Sequence, residues 1–121
     1  MTPHQRRRCD RYVQYVLDLY RATPGTRARA RPADRRLAET LYRQHVSPHI
    51  VRAALILAAA RRLSRPADAE PLLPINSLHY FLPVIREIQA RPLEDDYLRY
   101  LELKIAATDH HSDLAADHPS M

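Results

Sequence analysis

The segment "SPHIVRAALILAAARRLSR", residues 47–65, decides the fold, because it is apolar on nearly every side of a predicted helix. Ser47 is a favourable N-cap and Pro48 suits the first helical position, so the helix is predicted to begin here and to run to about Leu63. Its apolar side chains cover well over half of the circumference: Ile50, Val51, Ala54, Leu55, Leu57 and Ala58. A helix of this kind is buried, and we predict that it forms the centre of the domain.

The preceding residues raise a second interpretation of the same helix. "RRLAETLYRQHVSPHIVRAALIL", residues 35–57, places two helices around a very short turn, as in a helix-turn-helix DNA-binding motif. His45 would then occupy the turn position that glycine usually holds, and Leu41 stands where a small residue is expected. Only two of the groove-facing side chains could donate hydrogen bonds to bases, in the set Pro48, His49, Arg52, Ala53 and Ile56. The sequence therefore favours a buried spine, with Arg61, Arg62 and Arg65 reaching phosphates from its end.

The remaining residues predict an all-α protein, a compact bundle of about five helices. Gly25 is the single glycine, which leaves little room for β-hairpins. Besides the spine, helices are predicted at about residues 4–22, 32–44, 83–90 and 93–107, with a short helical turn before Pro83. The first of these has a regular apolar stripe: Cys9, Tyr12, Val13, Val16, Leu17 and Tyr20.

The length of 121 residues is typical of one domain, which we place at residues 1–107. Residues 23–34 form a basic linker that we expect to be exposed and mobile, since its alternating arginines have no apolar partners. Residues 65–76 are rich in proline and form an irregular connector. Residues 108–121 contain too little apolar surface to dock, and we expect a disordered tail there.

Charge is distributed unevenly within the net total of +5. Residues 1–65 hold fifteen arginines against four acidic residues, a net charge of +11, and residues 66–121 have a net charge of −6. Eighteen of the nineteen basic residues are arginine, which favours bidentate contacts with phosphate. A GC-rich genome would produce the same preference for arginine without any selection for binding.

No pattern in the sequence predicts an enzyme, a metal site or a cofactor. The histidines lack the spacing and the partners of a zinc site, and acids such as Asp95 and Asp96 suit the start of a helix. Cys9, the only cysteine, lies on the apolar stripe and is predicted to be a core residue. Neither a signal peptide nor a run of roughly 20 apolar residues is evident, so we expect a cytoplasmic protein with no membrane contact.

The clustered arginines predict binding of DNA or RNA, mainly through the phosphate backbone. Tyrosines are interleaved with them, at positions 12, 15, 20 and 42, and any that are exposed could stack on unpaired bases. The predicted nucleic-acid-binding residues are Arg6, Arg7, Arg8, Arg11, Arg27, Arg29, Arg31, Arg35, Arg36, His49, Arg52, Arg61, Arg62 and Arg65.

Two stretches also resemble known proteins. "LPINSLHYFLPVIREI", residues 73–88, resembles a segment of small helical proteins from bacterial mobile elements and replication-linked genes. "LAETLYRQHVSPHIVRAALILAAARR", residues 37–62, is similar in pattern to helical replication-organiser domains. The resemblance covers residues 35–105 and implies a bacterial accessory protein, a subunit of a larger complex near DNA or RNA machinery. It transfers no catalytic residue.

A second function class stays open. The acidic C-terminal half is rich in Ile and Leu, and it could dock a larger protein partner or a second copy of the chain, with the arginines serving solubility. Salt dependence separates the two classes, because binding to phosphates weakens steeply with salt concentration.

Overall fold

The computed structural model describes residues 1–27 and 29–117, and within the last helix it describes side chains as far as Thr108. Five α-helices follow in order: α1 (Pro3–Ala22), α2 (Pro32–Arg43), α3 (Pro48–Leu63), α4 (Leu82–Ala90) and α5 (Asp95–Asp117). A 3-10 turn at Leu78–Phe81 leads directly into α4. No β-strand is present in these ranges, and the predicted all-α bundle is confirmed.

Helix α3 is the spine of the bundle, as predicted. It packs against α1, α4 and α5, and Ser47 caps it by accepting a hydrogen bond from the backbone N–H of His49 at 3.1 Å. Most of its side chains are buried, in the set Val51, Ala53, Ala54, Leu55, Leu57, Ala58, Ala59 and Ala60. The many alanines let the neighbouring helices approach closely, which is how one helix contacts three others.

Helix α1 buries the whole apolar stripe that its sequence predicts. Thr2 and Gln5 form a capping box at its start, since each side chain accepts a hydrogen bond from the other's backbone N–H, at 3.1 and 2.9 Å. Near its other end the ring of Tyr20 meets that of Phe81 edge to face, with centroids 6.2 Å apart. This contact joins α1 to the 3-10 turn.

The basic linker is tied to the bundle at its start, which corrects the prediction that residues 23–34 form a mobile loop. Ile75 is buried, and its backbone N–H donates to Gly25 O at 2.7 Å while its carbonyl accepts from Arg27 N–H at 3.1 Å. Gly25 adopts a φ of 92° at this point, a conformation that disfavours other residues. The expectation failed because the partner of the linker is a backbone segment some fifty positions away, which local composition does not reveal.

Asp34 is the only buried charged side chain in the described part of the chain, with 1% of its surface exposed. One carboxylate oxygen accepts from the backbone N–H of Arg31 at 2.9 Å, at the start of α2. The other accepts from the backbone N–H of Leu78 at 2.8 Å and from the hydroxyl of Ser77 at 3.2 Å. Asp34 thus caps two helical segments at once and fixes the 3-10 turn against α2.

Replacing Asp34 by alanine should lower the free energy of unfolding by about 2 kcal/mol, because it leaves two backbone N–H groups without an acceptor. Urea denaturation measures the change. The control is Asp18→Ala, which removes an exposed aspartate paired with Arg21 at 3.3 Å and should cost less than about 0.5 kcal/mol. Equal losses for the two variants would show that Asp34 has no capping role.

Helix α5 continues past Ala107, its predicted end, to Asp117. The predicted disordered tail covers residues 108–121; the structure assigns residues 108–117 to this helix, and residues 118–121 lie outside the described residues. Apolar content predicts whether a segment docks on the core, whereas helix formation depends on the absence of residues that break a helix. No glycine or proline occurs between Ala107 and Asp117, so nothing in the sequence ends the helix there.

Candidate nucleic-acid interface

A groove lies between the N-terminal half of α1 and the turn that joins α2 to α3. We call it the basic groove; its volume is about 1170 Å³. Arginines and tyrosines dominate its lining, which consists of Met1, Gln5, Arg8, Arg11, Tyr12, Tyr15, Tyr42, Arg43, His45, Val46, Ser47 and Pro48. Among these lining residues there is no carboxylate side chain, so an anion entering the groove meets cations and aromatic rings.

The turn at the edge of the groove is a Schellman motif. Val46 N–H donates to Leu41 O and His45 N–H donates to Tyr42 O, both at 3.0 Å, which satisfies the last carbonyl groups of α2. Val46 and Leu41 are both buried, as the hydrophobic contact of this motif requires. His45 adopts the left-handed conformation, with a φ of 60°, at the position where glycine is usual.

We expect His45→Gly to raise the free energy of unfolding by about 1 kcal/mol, because glycine avoids the steric cost of a Cβ at positive φ. His45→Ala keeps the Cβ and should give no such gain, which makes it the control. Urea midpoints of the two variants measure the effect. A glycine variant less stable than the wild type would mean that the histidine ring itself stabilises the turn.

Three tyrosines line the groove in different ways. The hydroxyl of Tyr12 donates to the carbonyl of Val46 at 2.8 Å, and burial raises the pKa of this phenol to about 12, so it remains a neutral donor. The ring of Tyr42 packs edge to face on Tyr12, with centroids 5.4 Å apart. Tyr15 is 40% exposed. Tyr12 therefore fixes the groove, and Tyr15 is the ring that a ligand can reach.

The cations of the groove come from two helices. Arg8 and Arg11 stand on α1 at helical spacing from Tyr15, so all three share one face. Arg8 is held by His4, whose Nε2 lies 2.8 Å from the guanidinium. Arg43 comes from the last turn of α2 and is absent from the predicted set. Its signal in the sequence is its place beside Tyr42, just before the turn.

Several predicted arginines are instead engaged with acids on other helices. Arg52 pairs with Glu102 of α5. Arg61 forms two hydrogen bonds with Glu87 of α4, at 2.8 and 2.5 Å, and this pairing lowers the pKa of the Glu87 carboxyl. Their guanidinium groups hold α3 to α4 and α5. Because phosphate would have to displace a carboxylate, these two positions are poor anion sites.

Three further predicted residues also have partners within the fold. Arg35 lies 3.6 Å from a carboxylate oxygen of Asp10 and another 3.6 Å from Glu39. His49 Nε2 lies 3.7 Å from a carboxylate oxygen of Asp95. Arg62 donates to a backbone carbonyl at 3.0 Å and lies over the ring of a tyrosine, the partners being Leu73 and Tyr80.

The ion pair of Arg52 with Glu102 also bears on whether α3 is a buried spine or a recognition helix. The side that would read bases holds Arg52, which is paired with α5, and Ala53, which is buried. The left-handed turn at His45 and the buried side chains of Val46, Val51 and Ala54 agree with a helix-turn-helix motif, but the base-reading side does not. Helix α3 is therefore a buried spine, as the sequence favours, and its base-reading side is not available as in a recognition helix.

The remaining predicted arginines are exposed and lie outside the lining of the basic groove. Arg27 is held at the C-terminal end of α1, where the adjacent Thr26 hydroxyl donates to the carbonyl of Tyr20 at 3.1 Å. Arg8 lies about 20 Å away along the helix axis, at a rise of about 1.5 Å per residue. The exposed set outside the groove is Arg6, Arg7, Arg27, Arg29, Arg31, Arg36 and Arg65. Arg8 and Arg27 therefore lie near opposite ends of α1.

Other chemistry is limited in the residues that the structure describes. No three His, Cys, Asp or Glu side chains among them lie together as metal ligands would. Cys9 is buried, and burial raises the pKa of its thiol, an effect to which Glu39 and Asp10 add. None of the described helices combines the length and the apolar character needed to cross a membrane.

Comparison with known proteins finds no matching family model, no similar curated protein and no similar solved structure. The comparisons add nothing to the resemblance of residues 35–105 described above. The assignment of a function therefore depends on the geometry of the basic groove.

Proposed function

We propose that this protein is a non-catalytic nucleic-acid-binding accessory protein that contacts phosphates through its N-terminal arginines. The observation that carries the proposal is the basic groove, in which Arg8, Arg11 and Arg43 converge without a carboxylate in the lining. Elsewhere in the described fold, arginines such as Arg52 and Arg61 are matched with acids. Cations without acidic partners repel one another, and a bound anionic ligand reduces this repulsion.

The charge distribution supports the same proposal. The groove belongs to the half of the chain with a net charge of +11, whereas the half with −6 supplies the acids that pair with α3. Acids of the second half therefore pair with arginines of α3 rather than with those of the groove. A polyanion approaching the N-terminal half meets a surface of net positive charge, which accelerates association at low ionic strength.

Fluorescence anisotropy tests the proposal with labelled duplex DNA, single-stranded DNA and a structured RNA. We expect binding at low salt and a linear fall of the logarithm of affinity with the logarithm of salt concentration, as counterions are released from phosphates. Failure of all three nucleic acids to bind at low salt would exclude the proposal, because attraction between exposed charges is least screened there.

Interaction with a protein is the second candidate function, and one observation favours it. Tyr97, Tyr100 and Leu103 project from α5 with 47%, 56% and 65% of their surface exposed, and the two tyrosine rings stack with centroids 6.2 Å apart. Large apolar side chains exposed in series often mark a contact surface. Association with a protein that is insensitive to salt, together with no binding of nucleic acid, would favour this candidate.

A further inference from the structure

We propose that the basic groove is a site for single-stranded nucleic acid, in which an unpaired base stacks on Tyr15 while Arg8, Arg11 and Arg43 contact the flanking phosphates. This inference rests on the proposed function and narrows its ligand class. Stacking on an exposed ring together with backbone contacts from cations is the general mode by which proteins bind single strands. The groove supplies both elements within one concave surface.

The placement of the rings argues for an unpaired base. Tyr15 is the most exposed of the groove tyrosines, and it shares a face of α1 with Arg8 and Arg11. From Arg8 to Tyr15 the helix rises about 10 Å, enough for a short run of nucleotides. In a duplex the base faces are covered by their neighbours and could not reach a ring on the wall of a groove. A single strand can turn its bases toward the ring and its phosphates toward the arginines.

Contacts within the fold hold the walls of the groove in place, as expected of a preformed binding site. The Tyr12 hydroxyl ties α1 to the carbonyl of Val46 at 2.8 Å, and Tyr42 packs on the Tyr12 ring. His45 stands at the rim in a left-handed conformation that costs free energy for any residue with a Cβ. The Schellman turn requires this conformation, so the backbone at the rim of the groove is fixed.

The side of α3 that would face a major groove is poorly suited to reading a duplex. Arg52 is paired with Glu102 of α5 and Ala53 is buried, although Pro48 and His49 at the start of the helix are exposed. Exposed arginines contact the phosphates of a duplex without reading its sequence. Within the basic groove, the feature that distinguishes an unpaired strand from a duplex is the exposed ring of Tyr15.

The experiment compares a single-stranded oligothymidylate with a duplex of the same length and label, by fluorescence anisotropy at one low salt concentration. We expect the wild type to bind the single strand more tightly. Tyr15→Leu should weaken single-strand binding by about fivefold or more and leave duplex binding unchanged, because one stacked base is lost. Tyr15→Phe keeps the ring and should bind like the wild type. Tyr100→Leu, at an exposed tyrosine of α5, is the matched control and should change neither affinity.

Several outcomes would overturn the inference, and they are distinguishable. Tighter binding of the duplex, or a Tyr15→Leu variant that binds the single strand normally, leaves the proposed function intact and removes the single-strand site. An equal loss of affinity for both ligands would show that Tyr15 contributes to binding without distinguishing a single strand from a duplex. Binding of neither ligand removes the inference and the proposed function together. If polyglutamate displaces the labelled single strand equally well from the wild type and from Tyr15→Leu, the groove accepts acidic chains in general, which would indicate an acidic protein partner.

Discussion

Leu55→Ala is expected to lower the free energy of unfolding by about 2 to 5 kcal/mol, because the side chain lies in the centre of the bundle and its removal leaves a cavity. Leu55 is 2% exposed, on a helix that contacts α1, α4 and α5. The surrounding side chains belong to separate helices and cannot all move to fill the space. Urea denaturation, monitored by circular dichroism, measures the loss.

The control for this variant is Leu103→Ala, which removes the same atoms from an exposed position of α5 and should cost less than about 0.5 kcal/mol. Arg52→Ala breaks a half-exposed ion pair with Glu102 and should cost no more than about 1 kcal/mol. A Leu55→Ala variant as stable as the wild type, yet defective in binding, would show that α3 is a surface helix and that the account of the spine is wrong.

Simultaneous change of Arg8, Arg11 and Arg43 to alanine is expected to weaken binding of nucleic acid at low salt by at least about tenfold. The slope of log affinity against log salt should become shallower by about 2 to 3, since three phosphate contacts are lost. All three side chains line the groove, and Arg43 and Arg8 make only surface hydrogen bonds, so the fold should persist. Circular dichroism checks that it does.

The matched control changes Arg91, Arg99 and Lys104 to alanine, which alters the net charge by the same amount in the C-terminal half. We expect this variant to keep the salt slope of the wild type, because its cations lie outside the groove. Equal weakening in the two triple variants would mean that net charge alone drives association, and the groove would lose its special role.

The sequence was sufficient for most of the helix bounds and for most of the core, although Ile50 of the spine is only partly buried and α5 extends beyond its predicted end. The stripe of α1 follows the helical period closely enough that every predicted member is buried. Ser47 with Pro48 sets the start of α3, and Pro83 marks the junction between the 3-10 turn and α4. These features are local: a cap, a proline or an apolar period acts within one or two helical turns, so a single sequence reveals them.

Contacts between distant segments could not be predicted in the same way. The carboxylate of Asp34 accepts from the backbone N–H of Leu78, and Gly25 pairs with Ile75 through backbone groups; neither contact has a signature in the sequence. Periodicity also does not indicate which face of α5 meets α3, so the engagement of Arg52 by Glu102 was not foreseen. For the same reason the sequence does not indicate how far the arginines of the linker lie from Arg8, which the length of α1 separates from Arg27.

The candidate site was predicted only in part. Arg8 and Arg11 belong to the predicted set, and Tyr15 was named as a possible stacking ring. Arg43 was missed because its helix is short and its neighbours in the groove come from α1, some thirty positions earlier. The helix-turn-helix interpretation placed His45 at the left-handed turn position, where the structure finds it, but its place at the rim of a groove required the packing of α1 on α2.

The most direct test of the central claim is a titration of the isotopically labelled protein with a single-stranded oligothymidylate, followed by amide chemical shifts in NMR spectra. We predict that the shifted amides cluster in the first half of α1 and in residues 42–48, around Arg8, Tyr15 and His45. Amides of α5 should keep their positions. Shifts confined to the exposed face of α5 around Tyr100, or an unchanged spectrum at low salt, would contradict the claim that the basic groove binds nucleic acid.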